Sequence, residues 1–368
     1  AGESAICTCG TGNGLNYYGY AIEDLAEHCE FEEVAFLLQY AKLPNAIELS
    51  EYKSKIIAAR ALSPELKAML KLIPKGVHPM NVCQSAVALL GTLEAEKEDF
   101  SDQDEKIIRL LGVLPSVICF WHNYITNGVE IEFASQQDTI AGYFLEKLHQ
   151  KTPPAEFIKA MHCSLILYAE HEFNASTFTA RICSSTKSDI FSAVAGAIGA
   201  LRGPLHGGAN EAAFGLISSF DNVEEAIAGV NDKLANKELL MGFGHRVYGL
   251  GGDPRNAVIK KWSKALSNDH KLFAISEAIE NVMKEWGIDT SDTHLGVTYA
   301  LDVNPTVDIE VKVEQPTSKK KKKDEGNPTL YAARCVETGK LVSDLTNPRR
   351  KYWDREGNAS AAINSENA

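Results

Sequence analysis

The stretch SDIFSAVAGAIGALRGP, residues 188–204, constrains the fold more than any other part of the chain. Ile190, Val194, Ile198 and Leu201 recur at the helical period and make one apolar stripe. Ser188 or Asp189 can cap the start, and Gly203-Pro204 ends the run. Gly196, Ala197, Gly199 and Ala200 are small enough for another helix to approach closely. Similar periods run near 104–127, 155–169 and 222–236. Phe31, Val34, Ala35 and Leu38 share one face of a further helix, which Pro44 is expected to stop. No internal repeat and no alternation of strands with helices is present, so the chain reads as all-α. The exception comes late. Val307, Ile309, Val311 and Val313 alternate with charged residues as a half-exposed strand would. Lys319 to Lys323 follow as a solvated loop, and the polar last residues read as a fraying tail.

A length of 368 residues allows one large core or two domains. With 45% hydrophobic and 23% charged residues the class is soluble and globular. No run of about 18 apolar residues occurs, so no membrane partner is expected. The first residues carry neither a basic nor an apolar leader region, so no signal peptide is expected. A net charge of −12 argues against nucleic acid, but leaves room for a small anion held by a few arginines. None of the eight cysteines forms a CxxC pair, and Cys7-x-Cys9 has no second pair to complete a zinc site. They read as reduced thiols in a cytosolic or matrix protein.

Of ten histidines, His28, His122, His149, His162 and His270 carry no local constellation and read as ordinary structural or surface residues. Three others do not. His206, in RGPLHGGANEAAF, follows a proline turn and precedes two glycines at a helix start. Such glycines bring backbone close to a ligand, and a helix N-terminus favours a neutral imidazole over its cation. His245, in MGFGHRVYGLGGDPR, sits among glycines with Arg246 beside it and Arg255 at the end of the loop, a grammar suited to an anion. His171, in LILYAEHEFNASTFTAR, lies between Glu170 and Glu172 where an apolar helix ends in a polar cluster. A metal there would want a third ligand and H-E-x-x-H spacing, which is absent, so no metal is assigned.

Those three phrases, in this order, resemble the citrate synthase family, and their detailed wording resembles its 2-methylcitrate synthase branch. The likeness runs from about residue 5 to about residue 283. It implies a two-domain, mostly helical fold and a homodimer whose active site is shared across the interface. It implies oxaloacetate and an acyl-CoA as substrates, and no cofactor. The reaction implied is a Claisen-type condensation, with propionyl-CoA preferred, giving 2-methylcitrate and CoA. Acetyl-CoA giving citrate is the alternative, since one methylene in an apolar pocket discriminates weakly. His206 matches the donor to the thioester oxygen. His245 matches the group that polarises the oxaloacetate carbonyl. His171 matches an oxaloacetate-binding histidine, and Arg255 a carboxylate clamp.

Beyond that the family wording thins. Asp292 stands at the approximate offset of the carboxylate base, and Asp308, in NPTVD, resembles its wording but comes late. Arg334 echoes a carboxylate ligand. Arg349 or Arg350 is comparable to the arginine that the family lends from the other subunit. The expected organisation is a large helical domain over 1–205, a small domain over 206–310, and an atypical return over 311–368. The altered end motivates a reading of another class, a dimeric dicarboxylate-binding protein that has lost its base. Bacterial cytoplasm is the expected location, with the mitochondrial matrix as the alternative.

Overall fold

The computed structural model describes residues 3–10, 14–243, 247, 253–266 and 270–287. Residues 4–309 form one compact unit, and 1–3 with 310–368 a second, of which only Glu3 is among the described residues.

The chain opens with a small antiparallel sheet in the order β1 (Cys7–Gly10), β2 (Gly14–Tyr17), β3 (Tyr20–Ala21), with Cys7 opposite Tyr17. Strands of four, four and two residues are too short to show a period of two, and the sequence reading had no strand here. Everything after it among the described residues is helical. α1 (Ile22–His28), α2 (Phe31–Tyr40), α3 (Ala46–Ala58) and α4 (Pro64–Leu72) come first. α5 (Pro79–Leu93), α6 (Gln103–Asn127), α7 (Ile140–His149) and α8 (Ala155–Tyr168) follow. Then come α9 (Ala175–Ser185), α10 (Ile190–Leu201), α11 (Gly208–Ser218) and α12 (Val223–Ala235). α13 (Pro254–Leu266) and α14 (His270–Glu285) complete the described part.

Helix starts follow side-chain chemistry. Asn45, Ser63, Asn174, Asp189 and Asn222 each accept a backbone N–H of the first turn. Asp189, rather than Ser188, caps α10. α2 does not run on to Pro44: it stops at Tyr40, because Ala41 turns left-handed at φ 59° and its N–H closes on Leu37 O.

Among the described residues, four apolar clusters hold the helices together. α4, α5 and α6 meet around Leu66, Val87, Val117 and Phe120, with Phe191 of α10 joining them. The sheet packs on α1, α2 and α8 through Leu15, Tyr17, Leu37 and Ile166, and takes Ile259 of α13. Phe36, Tyr52 and Ile140 join α2, α3 and α7. Ala213, Ile217, Val230, Phe243, Ile275 and Ile279 form a separate cluster of α11, α12 and α14. α6 is long and apolar enough to cross a bilayer, yet its apolar side is spent on the core, where Val113, Val117 and Phe120 are fully buried.

Candidate active site

α10 ends at Leu201, and the chain doubles back at once into α11. The His206 N–H donates to Gly203 O at 2.9 Å, and the Gly208 N–H reaches the same oxygen at 3.1 Å. This reversal needs both glycines. A Cβ on Gly207 would lie 2.8 Å from Leu201 O, and one on Gly208 only 2.5 Å from Arg202 O. The turn therefore holds His206 at the mouth of α11 with its side chain buried.

The start of α9 meets it. His206 Nε2 lies 2.9 Å from Ser176 Oγ and 3.3 Å from the Ser176 backbone nitrogen. A backbone N–H can only donate, so the tautomer that fits carries its proton on Nδ1 and accepts at Nε2. The Ser176 hydroxyl is also 2.7 Å from Asn174 Oδ1, so its single proton is shared between that oxygen and the ring. Asn174 is held in turn, since its Oδ1 accepts the Thr177 N–H at 2.9 Å as the cap of α9. The phrase FNAST thus does two jobs: it starts a helix and orients a histidine.

His171 is buried in the link between α8 and α9. The link is pinned on both sides of it. The Glu170 N–H donates to the Tyr17 hydroxyl at 3.3 Å, which itself donates to Ile166 O at 3.0 Å. Glu172 takes a left-handed φ of 53°, and its Oε1 accepts the Cys9 N–H at 3.3 Å. Burial holds the Glu170 carboxyl above the usual carboxylate range, while the neighbouring N–H of Glu172 and the charge of Arg181 pull it partly back.

Arg255 is the second residue of α13 and is fully buried. Asp253 makes this possible. Its carboxylate accepts the Arg255 backbone N–H at 2.9 Å, Nε at 3.0 Å and Nη2 at 2.6 Å. Pro254 fits between them because an N–H at the first helical position would have no intrahelical acceptor, so proline loses no hydrogen bond there. The sequence DPR is therefore a helix start and a buried, bidentate ion pair at once, with the plane of the guanidinium fixed. Tyr17 lies within reach of that charge: burial pushes its hydroxyl well above the usual range, and Arg255 opposes the shift. Tyr17 so holds the segment carrying His171, and shares an apolar cluster with Ile259 of α13.

The structure brings His206 to Ser176, and holds Glu170, next to His171, on the Tyr17 hydroxyl. His245, Asp292, Asp308, Arg334, Arg349 and Arg350 lie outside the described residues, as do the strand at 307–313 and the lysine run. Ser176, Tyr17 and Asp253 were not assigned from sequence. Ser176 and Asp253 stand inside quoted motifs, so their signal was spacing to a known partner. Tyr17 is far off in sequence and gave none. Among the described residues, no group of three or more His, Cys, Asp or Glu is placed to hold a metal ion.

The chain is similar to known proteins in sequence and fold. The family model for the citrate synthase C-terminal domain matches residues 1–302. The chain belongs to the citrate synthase family. It is 50% identical over 289 residues to a 2-methylcitrate synthase of Shewanella oneidensis, covering 77% of this chain and 76% of that protein. It is 40% identical over 275 residues to citrate synthase 2 of Bacillus subtilis, covering 73% of each. Among solved structures it is similar to citrate synthase from Thermoplasma acidophilum in a ternary complex with carboxymethyl coenzyme A and oxaloacetate. That likeness has a TM-score of 0.74 at 30% identity and covers 81% of each chain. As a citrate synthase family member the chain has the all-α fold expected, with the small N-terminal sheet added.

Proposed function

We propose that this chain joins the α-carbon of propionyl-CoA to the keto carbon of oxaloacetate and hydrolyses the thioester, giving 2-methylcitrate and CoA. The observation that carries the reading is the buried His206, set at the start of α11 with the Ser176 N–H on its Nε2. A thioester α-proton is weakly acidic, so its removal needs a base on one side and a donor to the carbonyl oxygen on the other. A neutral imidazole with its proton on Nδ1 is such a donor. The base is assigned to Asp292, with Asp308 as its rival, and His245 polarises the oxaloacetate carbonyl. The resulting enol attacks that carbon, the new alkoxide takes a proton, and water then cleaves the thioester. Arg255 and His171 bind oxaloacetate, with Arg334 and the partner subunit's copy of Arg349 as further carboxylate ligands. No cofactor enters beyond the CoA thioester.

The 2-methylcitrate synthase of Shewanella oneidensis supports propionyl-CoA as the acyl donor. Acetyl-CoA is the second reading, favoured by the likeness to a Bacillus subtilis citrate synthase. The domain reading places a boundary between 205 and 206. In its favour, α11, α12 and α14 have an apolar cluster of their own.

The homodimer is read from α9 and α10. No residue of α9 is buried, and Ile182 is 53% exposed. The stripe Ile190, Val194, Ile198 and Leu201 is only half-covered within one chain. An open depression of about 620 Å³ between these helices is lined by Thr177, Ala180, Arg181 and Ala197. A second copy would cover that apolar surface. The bacterial relatives support a cytoplasmic location.

The test is His206→Ala. Turnover is expected to vanish, while oxaloacetate still raises the melting temperature. Loss of both together contradicts the donor role.

A further inference from the structure

His78 has no part in the reaction as drawn, yet it is the N-cap of α5. Its Nδ1 accepts the Met80 N–H at 3.1 Å. A ring nitrogen that accepts carries no proton, so the neutral ring is protonated on Nε2. That Nε2 lies 2.8 Å from Glu211 Oε2 and donates to it. One imidazole thus joins the start of α5 to the first turn of α11, across 133 residues of sequence.

The joint matters because of what α11 begins with. His206 hangs on a double-glycine turn, and glycines resist bending least. The apolar face of α11, Ala213 and Ile217, belongs to the cluster with α12 and α14 and gives no grip on α5. Two polar links from adjacent residues hold the start of α11, one to α8 and one to α5. Asn210 Nδ2 donates to the Tyr168 hydroxyl at 3.0 Å at the end of α8, and Glu211 takes the His78 Nε2–H from α5.

We propose that His78 is a positioning residue for His206, acting through Glu211. The pair fixes the first turn of α11 against α5, and so sets where the donor stands over the thioester oxygen. This rests on His206 being that donor. Displacing a catalytic group by about 1 Å can cost up to a hundred-fold in rate.

The test uses steady-state loss of thioester absorbance with oxaloacetate and propionyl-CoA. The variants are His78→Asn, Glu211→Ala, their double, Glu211→Gln and His206→Ala. Asparagine still caps α5 but falls short of Glu211. The Glu211 side chain is 70% exposed, so its truncation leaves the fold intact, and equal melting temperatures check this. The expected result is a kcat lowered about ten-fold or more in His78→Asn and in Glu211→Ala, with KM for oxaloacetate unchanged. The double variant is expected to be no worse than either single one, because both remove the same link. Glu211→Gln, whose amide oxygen still accepts, is expected to restore most of kcat. A normal kcat in Glu211→Ala, or additive losses in the double variant, overturns the proposal. If His206→Ala abolishes turnover in that case, the donor reading survives alone. If His206→Ala keeps turnover, both fall.

Discussion

Ser176 presents two groups to one nitrogen of His206, its backbone N–H at 3.3 Å and its hydroxyl at 2.9 Å. The two are separable by mutation. Ser176→Ala keeps the N–H that sets the tautomer and loses only the hydroxyl. The expected loss in kcat is roughly five- to ten-fold, the worth of one neutral hydrogen bond. His206→Ala removes the donor itself and is expected to cost a hundred-fold or more. Steady-state kinetics of the two variants, side by side, checks the ranking.

Arg255 and Asp253 are both fully buried and paired at 2.6 Å. Asp253→Ala takes from a buried cation the carboxylate paired with it, a change that destabilises by about 3–5 kcal/mol. Urea denaturation is the measurement. Oxaloacetate affinity is expected to fall with it, because the plane of the guanidinium is no longer held.

Glu32 offers a pH test away from the site. Its side chain is buried in the first turn of α2, where Oε1 accepts the Ile140 N–H. Burial pushes its carboxyl up to about 7 from 4.5, against the pull of that hydrogen bond and of Lys53. The folded protein therefore holds a proton that the unfolded chain has released between those values, and stability falls as pH rises through that window. The full effect is about 3 kcal/mol, reached above pH 7. Burial lowers the value of nearby His162, whose Nδ1 accepts the Phe31 N–H at 2.9 Å, and its effect on stability runs the other way. Glu32→Gln isolates the carboxyl: the variant is expected to gain on the parent as pH rises from 4.5 to 7, by chemical denaturation at each pH.

The glycine turn can be tested against a control on the same helix. Gly208→Ala puts a Cβ 2.5 Å from Arg202 O, a backbone atom with no freedom to swing aside. Gly215 meets nothing within 4 Å. Gly208→Ala is expected to displace the start of α11 and cut kcat by about ten-fold or more. Gly215→Ala is expected to leave kcat alone and add up to about 1 kcal/mol of stability. Equal behaviour of the two would mean the close packing of the turn is unimportant.

The helices were legible where period and caps agreed. α10 runs Ile190–Leu201 with its cap at Asp189, inside the stretch that suggested it. α6, α8 and α12 begin and end within one residue of the spans given by period alone. The sheet was hidden because its strands are too short to alternate. The end of α2 was misplaced because a left-handed alanine leaves no mark, whereas Pro44 does. At the site, His206, His171 and Arg255 stood out because glycine, acidic residues and proline surround them. Tyr17 and the His78–Glu211 link did not, since partners 133 or more residues apart leave no local pattern.

The measurement that bears most directly on the whole account is thioester loss by ultraviolet absorbance, with oxaloacetate and either propionyl-CoA or acetyl-CoA. A thiol reagent is avoided, because the chain has eight cysteines of its own. The account predicts turnover of both, with kcat/KM higher for propionyl-CoA by a factor of about 10–200, the range one methylene allows. Folded protein whose melting temperature rises with oxaloacetate, yet which consumes neither thioester, would contradict it and leave a dicarboxylate-binding protein in its place.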